Sequence, residues 1–299
     1  MLLARGISSL PNLSLPETKT SLVDHAFFLS SERMILYQDC APQGYSKPMN
    51  FLYLAIIAVA LLGIFYLIRS MRALHVKVGR QSDRLAAGIQ KVTELTRNNS
   101  INDYRQLEAY VQLHNLIKFT APLPPTRGWA GSPDLLVTLA HVVKTIKPGL
   151  VVELGSGVST VVMSKAGAKK IISFDGSEEF GQHTRNLLQA HGAKGVEVRV
   201  TKLAPYKSSN GWYDPAAFKD IKKVDLLVID GPQGGDDSNG RYPAFDVLLS
   251  KLSPKAIIIL DDVKRPGERK LAEDFAAALP KHTLDILDHE KGTAVIRPK

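Results

Sequence analysis

Residues 151–160 read Val-Val-Glu-Leu-Gly-Ser-Gly-Val-Ser-Thr. An apolar run carrying one acid ends in two glycines spaced by one. Small hydroxyl residues then open an amphipathic segment. The pattern predicts a buried strand, a tight turn and a helix start, an arrangement that lets backbone N–H groups approach an anionic or polar ligand closely. The dinucleotide pattern G-x-G-x-x-G would put its third glycine at position 160, where Thr160 stands. That departure argues against a nicotinamide or flavin site.

Downstream of this turn, strands and helices alternate. Apolar strands are predicted at 150–154, 170–174, 196–201, 224–229 and 255–260, and helices at about 133–146, 159–166, 177–191, 241–252 and 267–279. Ser132-Pro133-Asp134 reads as a helix start, with a capping hydroxyl, a proline at the first helical position and an early acid. Gly167 and Gly192 fall where helix C-caps are expected. Alternation of this kind predicts a parallel sheet covered on both faces. Two runs, about 282–287 and 293–297, close the chain. They are separated by the short segment that includes His289-Glu290-Lys291-Gly292, a spacing that permits only an antiparallel hairpin.

The N-terminal part differs. Phe51–Ile68 is a stretch of 18 residues without a charge or a strongly polar side chain. As a helix it would span roughly 27 Å, close to the thickness of a bilayer core. Arg69, Arg72, Lys77, Arg80 and Arg84 follow it directly. This excess of cations places the C-terminal side in the cytoplasm, and positive charge after the apolar core, with no small-x-small site, speaks against a cleaved signal peptide. We expect a transmembrane helix over 49–70 of a single-pass membrane protein, with the catalytic domain cytoplasmic. The net charge of +9 therefore reads as membrane-facing. The basic patch has no interleaved aromatics for base stacking, so no nucleic acid is expected. The lone Cys40 excludes an internal disulfide. Residues 1–48 form an unassigned tail: an external segment, or a product of start-site choice given Met49.

Residues 71–121 are expected to be a helical stalk or linker. Met71, Val78, Leu85 and Val92 recur every seventh residue, while Gln81 and Gly88 break the companion seam of Leu74 and Leu95. A homodimer through this stretch is one reading and an amphipathic surface helix the other. Asn98-Asn99-Ser100 is expected to interrupt the helix before a second one over about 102–118. Pro122, Pro124 and Pro125 then lead into the domain at 122–299.

In an open parallel sheet, ligands bind beyond the carboxyl ends of the strands. Acids stand at four of those ends: Glu153, Asp175, Asp230, and the pair Asp261-Asp262. Carboxylates so close raise each other's pKa unless a cation or hydroxyl groups satisfy them. Asp175 follows Glu153 at about 20 residues, the separation at which a carboxylate accepts from ribose hydroxyls.

Taken together, Glu-Leu-Gly-Ser-Gly, Asp175, Ile-Asp-Gly at 229–231, Leu-Asp-Asp at 260–262 and the terminal hairpin make residues 122–297 resemble a class I S-adenosylmethionine-dependent methyltransferase. The resemblance implies an α/β fold: a seven-stranded, mostly parallel, doubly wound sheet with an antiparallel C-terminal hairpin. It implies S-adenosyl-L-methionine as cofactor, with Glu153, Gly155, Ser156, Gly157 and Ser159 at its methionine end, Asp175 on the ribose, Asp230 alongside, and Lys202-Leu203 by the adenine.

Asp230 and Asp261 are the candidate catalytic residues. The metal-dependent catechol type of this family holds a divalent ion with acids at these strand ends, so Asp230, Asp261 and Asp262 are also candidate ligands for Mg2+. The lysine that type places three residues after the first acid is Gln233 here. The expected activity is O-methylation of a small-molecule, glycan or lipid-linked acceptor. Arg241 and Lys264-Arg265 on the same rim suit an anionic acceptor or, equally, ion pairs with the nearby acids. Trp129 is placed over the cofactor or packed at the sheet edge, and Trp212-Tyr213 on a substrate loop or in the core. The rival readings are a cofactor-binding protein of this fold without activity, and another nucleotide-dependent enzyme on the same sheet.

Overall fold

The computed structural model describes residues 51–233 and 237–299. Expectations for residues 1–48, and for Gly234, Gly235 and Asp236 in the loop after Asp230, fall outside the described residues. The chain forms two units, one ending at Val76 and the other running Lys77–Lys299.

Helix α1 (Phe51–Leu116) begins in the first unit and ends in the second. It contains an apolar window of mean hydropathy 2.7, none of it buried, long enough to cross a bilayer. The expected interruption at Asn98-Asn99-Ser100 does not occur. Asn and Ser give up only a fraction of a kcal/mol each in a helix interior, and no proline or glycine stands there to break the ladder. The heptad positions Met71, Val78, Leu85 and Val92 are exposed. Near the end of α1, Gln106, Ala109 and Leu113 are buried, so the stalk's last turns contribute to the core of the second unit.

The second unit is an α/β domain. Its helices are α2 (Pro133–Ile146), α3 (Val158–Lys165), α4 (Glu178–Ala190), α5 (Pro243–Leu248) and α6 (Pro266–Ala278). Its main strands are β1 (Val151–Leu154), β2 (Ile171–Asp175), β3 (Val196–Val200), β6 (Val224–Ile229), β7 (Leu252–Asp261), β8 (His282–Leu287) and β9 (Thr293–Pro298). They form a seven-stranded sheet in the order β3-β2-β1-β6-β7-β9-β8. Neighbours are parallel except where β9 runs antiparallel to β7 and β8. A small hairpin that the sequence did not announce, β4 (Ala204–Tyr206) with β5 (Ser209–Trp212), lies between β3 and β6.

Alternation along each strand sends side chains to opposite faces, and both faces are covered. Val152, Leu154, Leu227 and Ile229 pack with Leu248 of α5 and Phe275 of α6. Val151, Leu226 and Val228 pack with Leu139 of α2 and Met163 of α3, and Leu113 of α1 joins this side.

Two local expectations are corrected. Ser132 does not cap α2 with its side chain; its hydroxyl donates to Asp134 Oδ1 at 2.5 Å. Asp134 is the tie instead, accepting from Gln106 Nε2 at 2.7 Å and from the Glu290 N–H at 2.8 Å. The helix expected over 241–252 is the short α5 followed by a 3-10 turn at Leu249–Lys251. Pro254 disfavours a helical conformation at Ser253, and β7 has already begun at Leu252.

Candidate functional site

The strand order reverses between β1 and β6, which makes their C-terminal ends a topological switch point. Gly155 leaves β1 with φ 93°, a conformation costly for any residue with a Cβ. A Cβ there would also stand 3.1 Å from the backbone of Asp230, and one on Gly231 would stand 2.8 Å from Gly155 Cα. The two loops thus touch backbone to backbone. Only glycine permits that approach.

A cavity of about 910 Å³ opens here, and Gly155, Ser156, Gly157, Ser159, Asp175 and Asp230 lie on its wall. Nothing lies within 4 Å of where a Gly157 Cβ would be, so the turn faces open space. Asp175 Oδ2 accepts from Ser156 Oγ at 2.6 Å, and Oδ1 accepts from the Ser177 N–H at 2.9 Å. A carboxylate has about four lone-pair sites, so it keeps capacity toward the cavity. Leu203 lies on the wall beside Gly176. Open room over the glycines and a carboxylate at the end of β2 fit an adenosyl cofactor.

Glu153 is placed differently from the expectation. It is fully buried and lies beneath the wall rather than on it. Ser159 Oγ, Thr160 Oγ1 and Ser173 Oγ donate to its carboxylate at 2.6, 2.5 and 2.6 Å. Burial still pushes its pKa up to about 7 against the pull of those three hydroxyls. Thr160 also accepts from the Gly157 N–H at 2.9 Å. The residue that breaks the dinucleotide pattern therefore ties the turn to the acid below it.

Asp230, Asp261 and Asp262 converge, with carboxylate oxygens within 4.8 Å of one another. Asp230 lies on the cavity wall; Asp261, expected beside it as a catalytic residue, is only 1% exposed and sits behind it. Burial first, then the Asp261 charge, pushes the Asp230 carboxyl above the usual carboxylate range, opposed by Arg241. Burial and Asp262 push Asp261 up likewise, opposed by Lys291.

Arg241, read in the sequence as an anion grip or an ion-pair partner, is only 4% exposed. Its Nη2 lies 2.7 Å from Asp262 Oδ2 and 3.4 Å from Asp230 Oδ1, and its Nη1 donates to the Asp261 carbonyl at 3.1 Å. The guanidinium is the most buried of three cations at this cluster, since Arg265 Nη1 stands 3.4 Å from Asp262 Oδ2 and Lys291 Nζ 3.8 Å from Asp261 Oδ2. Asp262 Oδ2 and Asp230 Oδ1, oxygens that a Mg2+ ion on these three acids would take, are engaged by the guanidinium here.

Trp129 is 78% exposed and lies on the cavity wall, not packed at the sheet edge. Trp212 and Tyr213 are core. Burial, then the Asp175 charge, raises the Tyr213 pKa and keeps its phenol neutral. Lys291, which the sequence offered only as part of a turn, also lies on the wall; its Nζ donates to the Ala130 carbonyl at 3.1 Å and stands 3.8 Å from Asp261 Oδ2.

Residues 152–263 match the family model described as a methyltransferase domain. This stretch carries the glycine turn, Asp175, Asp230 and the Asp261-Asp262 pair. Comparison of the sequence with curated proteins gave no significant match. Among solved structures the chain is similar to an O-methyltransferase from Bacillus cereus in complex with S-adenosylhomocysteine (20% identity, covering 67% of this chain and 97% of that one, TM-score 0.47). It is also similar to a structure described as a putative O-methyltransferase from Klebsiella pneumoniae (19% identity, 67% and 96%, TM-score 0.47). A third is the O-methyltransferase TomG from Streptomyces achromogenes, in complex with SAM (14% identity, 67% and 96%, TM-score 0.46).

Proposed function

We propose that this chain is an S-adenosylmethionine-dependent methyltransferase that methylates an oxygen of a small-molecule, glycan or lipid-linked acceptor. One observation carries the reading. The glycine turn after β1 meets the Asp230-Gly231 turn at the switch point, with the Asp175 carboxylate on the same wall. The match of residues 152–263 to a methyltransferase domain supports it.

Bound S-adenosylmethionine supplies a methyl group already activated on a sulfonium. The chain's own work is then placement and proton removal. The turn at 155–157 and Asp175 hold the adenosyl and methionine parts. Asp230 faces the cavity with its carboxyl raised by burial, which suits it to take the acceptor's hydroxyl proton. The apolar window of α1 supports a membrane anchor, and the cations after it a cytoplasmic domain. Holding the enzyme at a bilayer raises its effective concentration on membrane-borne acceptors.

Calorimetry with S-adenosylmethionine, followed by mass detection of methylated product on candidate acceptors, tests the reading. Binding that weakens in Asp175→Asn, with product formed, is the expected result. Binding without turnover would leave a silent cofactor-binding protein, and tight binding of a nicotinamide cofactor alone would sink the proposal.

A further inference from the structure

Two buried carboxylates and a partly buried third, with oxygens within 4.8 Å of one another, need positive charge among them. In this site the charge is covalent. Arg241 reaches the acids with different edges of one planar fork: Nη2 meets Asp262 and Asp230, and Nη1 holds the backbone of Asp261. Nε points to the Pro232 carbonyl at 3.4 Å, which fixes the fork to the loop after β6. Arg241 Nε also lies 3.9 Å from Glu268 Oε1.

We infer that Arg241 stands where a divalent cation would sit, so that the Asp230–Asp261–Asp262 cluster is complete without a metal. Removing the guanidinium then turns those three acids into a divalent-cation site. Two further observations point the same way. Asp262, a non-glycine residue, is held at φ 65°, a strained conformation, while its carboxylate engages Arg241 at 2.7 Å. Asp261 Oδ2 is buried without a hydrogen-bond partner among the described residues, and the cation nearest it is again a side chain, Lys291 at 3.8 Å. A guanidinium stays charged at every working pH and cannot dissociate, so the cluster keeps its balance where an ion would exchange with solvent.

The inference goes beyond the methyltransferase reading, and its readout is metal occupancy, which does not depend on that reading. The full chain in detergent is titrated with Mn2+, and free Mn2+ is followed by electron paramagnetic resonance. The native chain and Arg241→Lys are expected to show no saturable binding up to about 1 mM. Arg241→Ala is expected to take up one Mn2+ per chain, displaced by Mg2+ and lost again when Asp261→Asn is added. Saturable binding by the native chain that Asp261→Asn abolishes would overturn the inference. So would a folded Arg241→Ala chain that takes up none. An Arg241→Ala chain that folds only with Mn2+ supports the inference; if it does not fold at all, the native titration decides. Calorimetry with S-adenosylmethionine on the same native sample reports separately on the cofactor reading.

Discussion

Thr160 Oγ1 donates to Glu153 Oε2 at 2.5 Å while accepting from the Gly157 N–H at 2.9 Å. One hydroxyl therefore joins the fully buried acid of β1 to the turn that faces the cavity. Thr160→Val keeps the shape and removes both bonds, leaving the part-buried Gly157 N–H without that partner and the carboxylate with one donor fewer. A stability loss of about 1–3 kcal/mol is expected, read from urea unfolding and recovered by Thr160→Ser. An unchanged midpoint in Thr160→Val would mean the hydroxyl is not holding the turn.

Glu153 makes stability depend on pH. Its folded pKa of about 7 lies above the roughly 4.3 of a free glutamate. Between those values the folded chain binds the extra proton, so stability falls as pH rises through the window and levels off above it. The acid's share is on the order of 3 kcal/mol. Glu153→Gln stays neutral throughout and should flatten the decline of the unfolding free energy between about pH 4.5 and 7. A variant as steep as the native chain would show that other carboxyls carry the whole slope.

Gly155 and Gly157 should respond differently to alanine. Gly155 has φ 93° and the Asp230 backbone beside it, so Gly155→Ala is expected to cost about 2 kcal/mol or more of stability. Gly157 has an extended backbone, φ 167°, and nothing near its Cβ position. Gly157→Ala should fold with near-native stability yet weaken S-adenosylhomocysteine binding more than tenfold, because the new methyl occupies ligand space. Calorimetry beside thermal melting separates the two. Tight binding by Gly157→Ala would place the ligand elsewhere.

The sheet was legible because buried parallel strands read as apolar runs and their glycine and acidic ends mark the rim. The turn at 155–157 was legible for the same reason. Thr160 was legible only as a missing glycine, since its partner Glu153 meets it through the fold of the turn. Arg241 was the least visible part of the site. In sequence it is a charged residue two positions before a proline, which reads equally as an anion grip or as an ion-pair partner. Its burial depends on β6, β7 and α5 bringing their ends together. The one available signal was the excess of acids on a single rim, which demands a cation from somewhere. Asn98-Asn99-Ser100 misled in the other direction, because weak helix formers do not end a helix that its neighbours sustain.

The apolar part of α1 should govern membrane association. Its exposed aliphatic and aromatic side chains have no partner among the described residues, and the proposed anchor would bury them in a bilayer. The full chain should stay in the membrane pellet through alkaline carbonate extraction. A chain beginning at Lys77, where the second unit starts, should move to the soluble fraction. Full release of the intact chain by carbonate would rule out a spanning anchor.

Asp230 and Asp262 are the acids that the cavity and the cluster share, and Asp230 is the more exposed of the two. Asp230→Asn keeps the size of the side chain and an oxygen that can still accept from Arg241 Nη2, so the fold and the cofactor wall should survive. What it removes is the ability to take a proton. As a general base its loss should lower kcat by roughly 10²–10⁴-fold, with S-adenosylmethionine affinity within a few-fold of native. The pH profile supplies the sharper readout. Burial and the neighbouring Asp261 raise the Asp230 carboxyl above the ordinary carboxylate range, so native activity should climb with pH on a limb displaced upward from that range. As the charged form is the active one, activity appears as the proton leaves. In Asp230→Asn that limb should vanish along with the rate. If the limb persists at reduced amplitude, the proton is being taken by another group, and Asp230 only shapes the pocket.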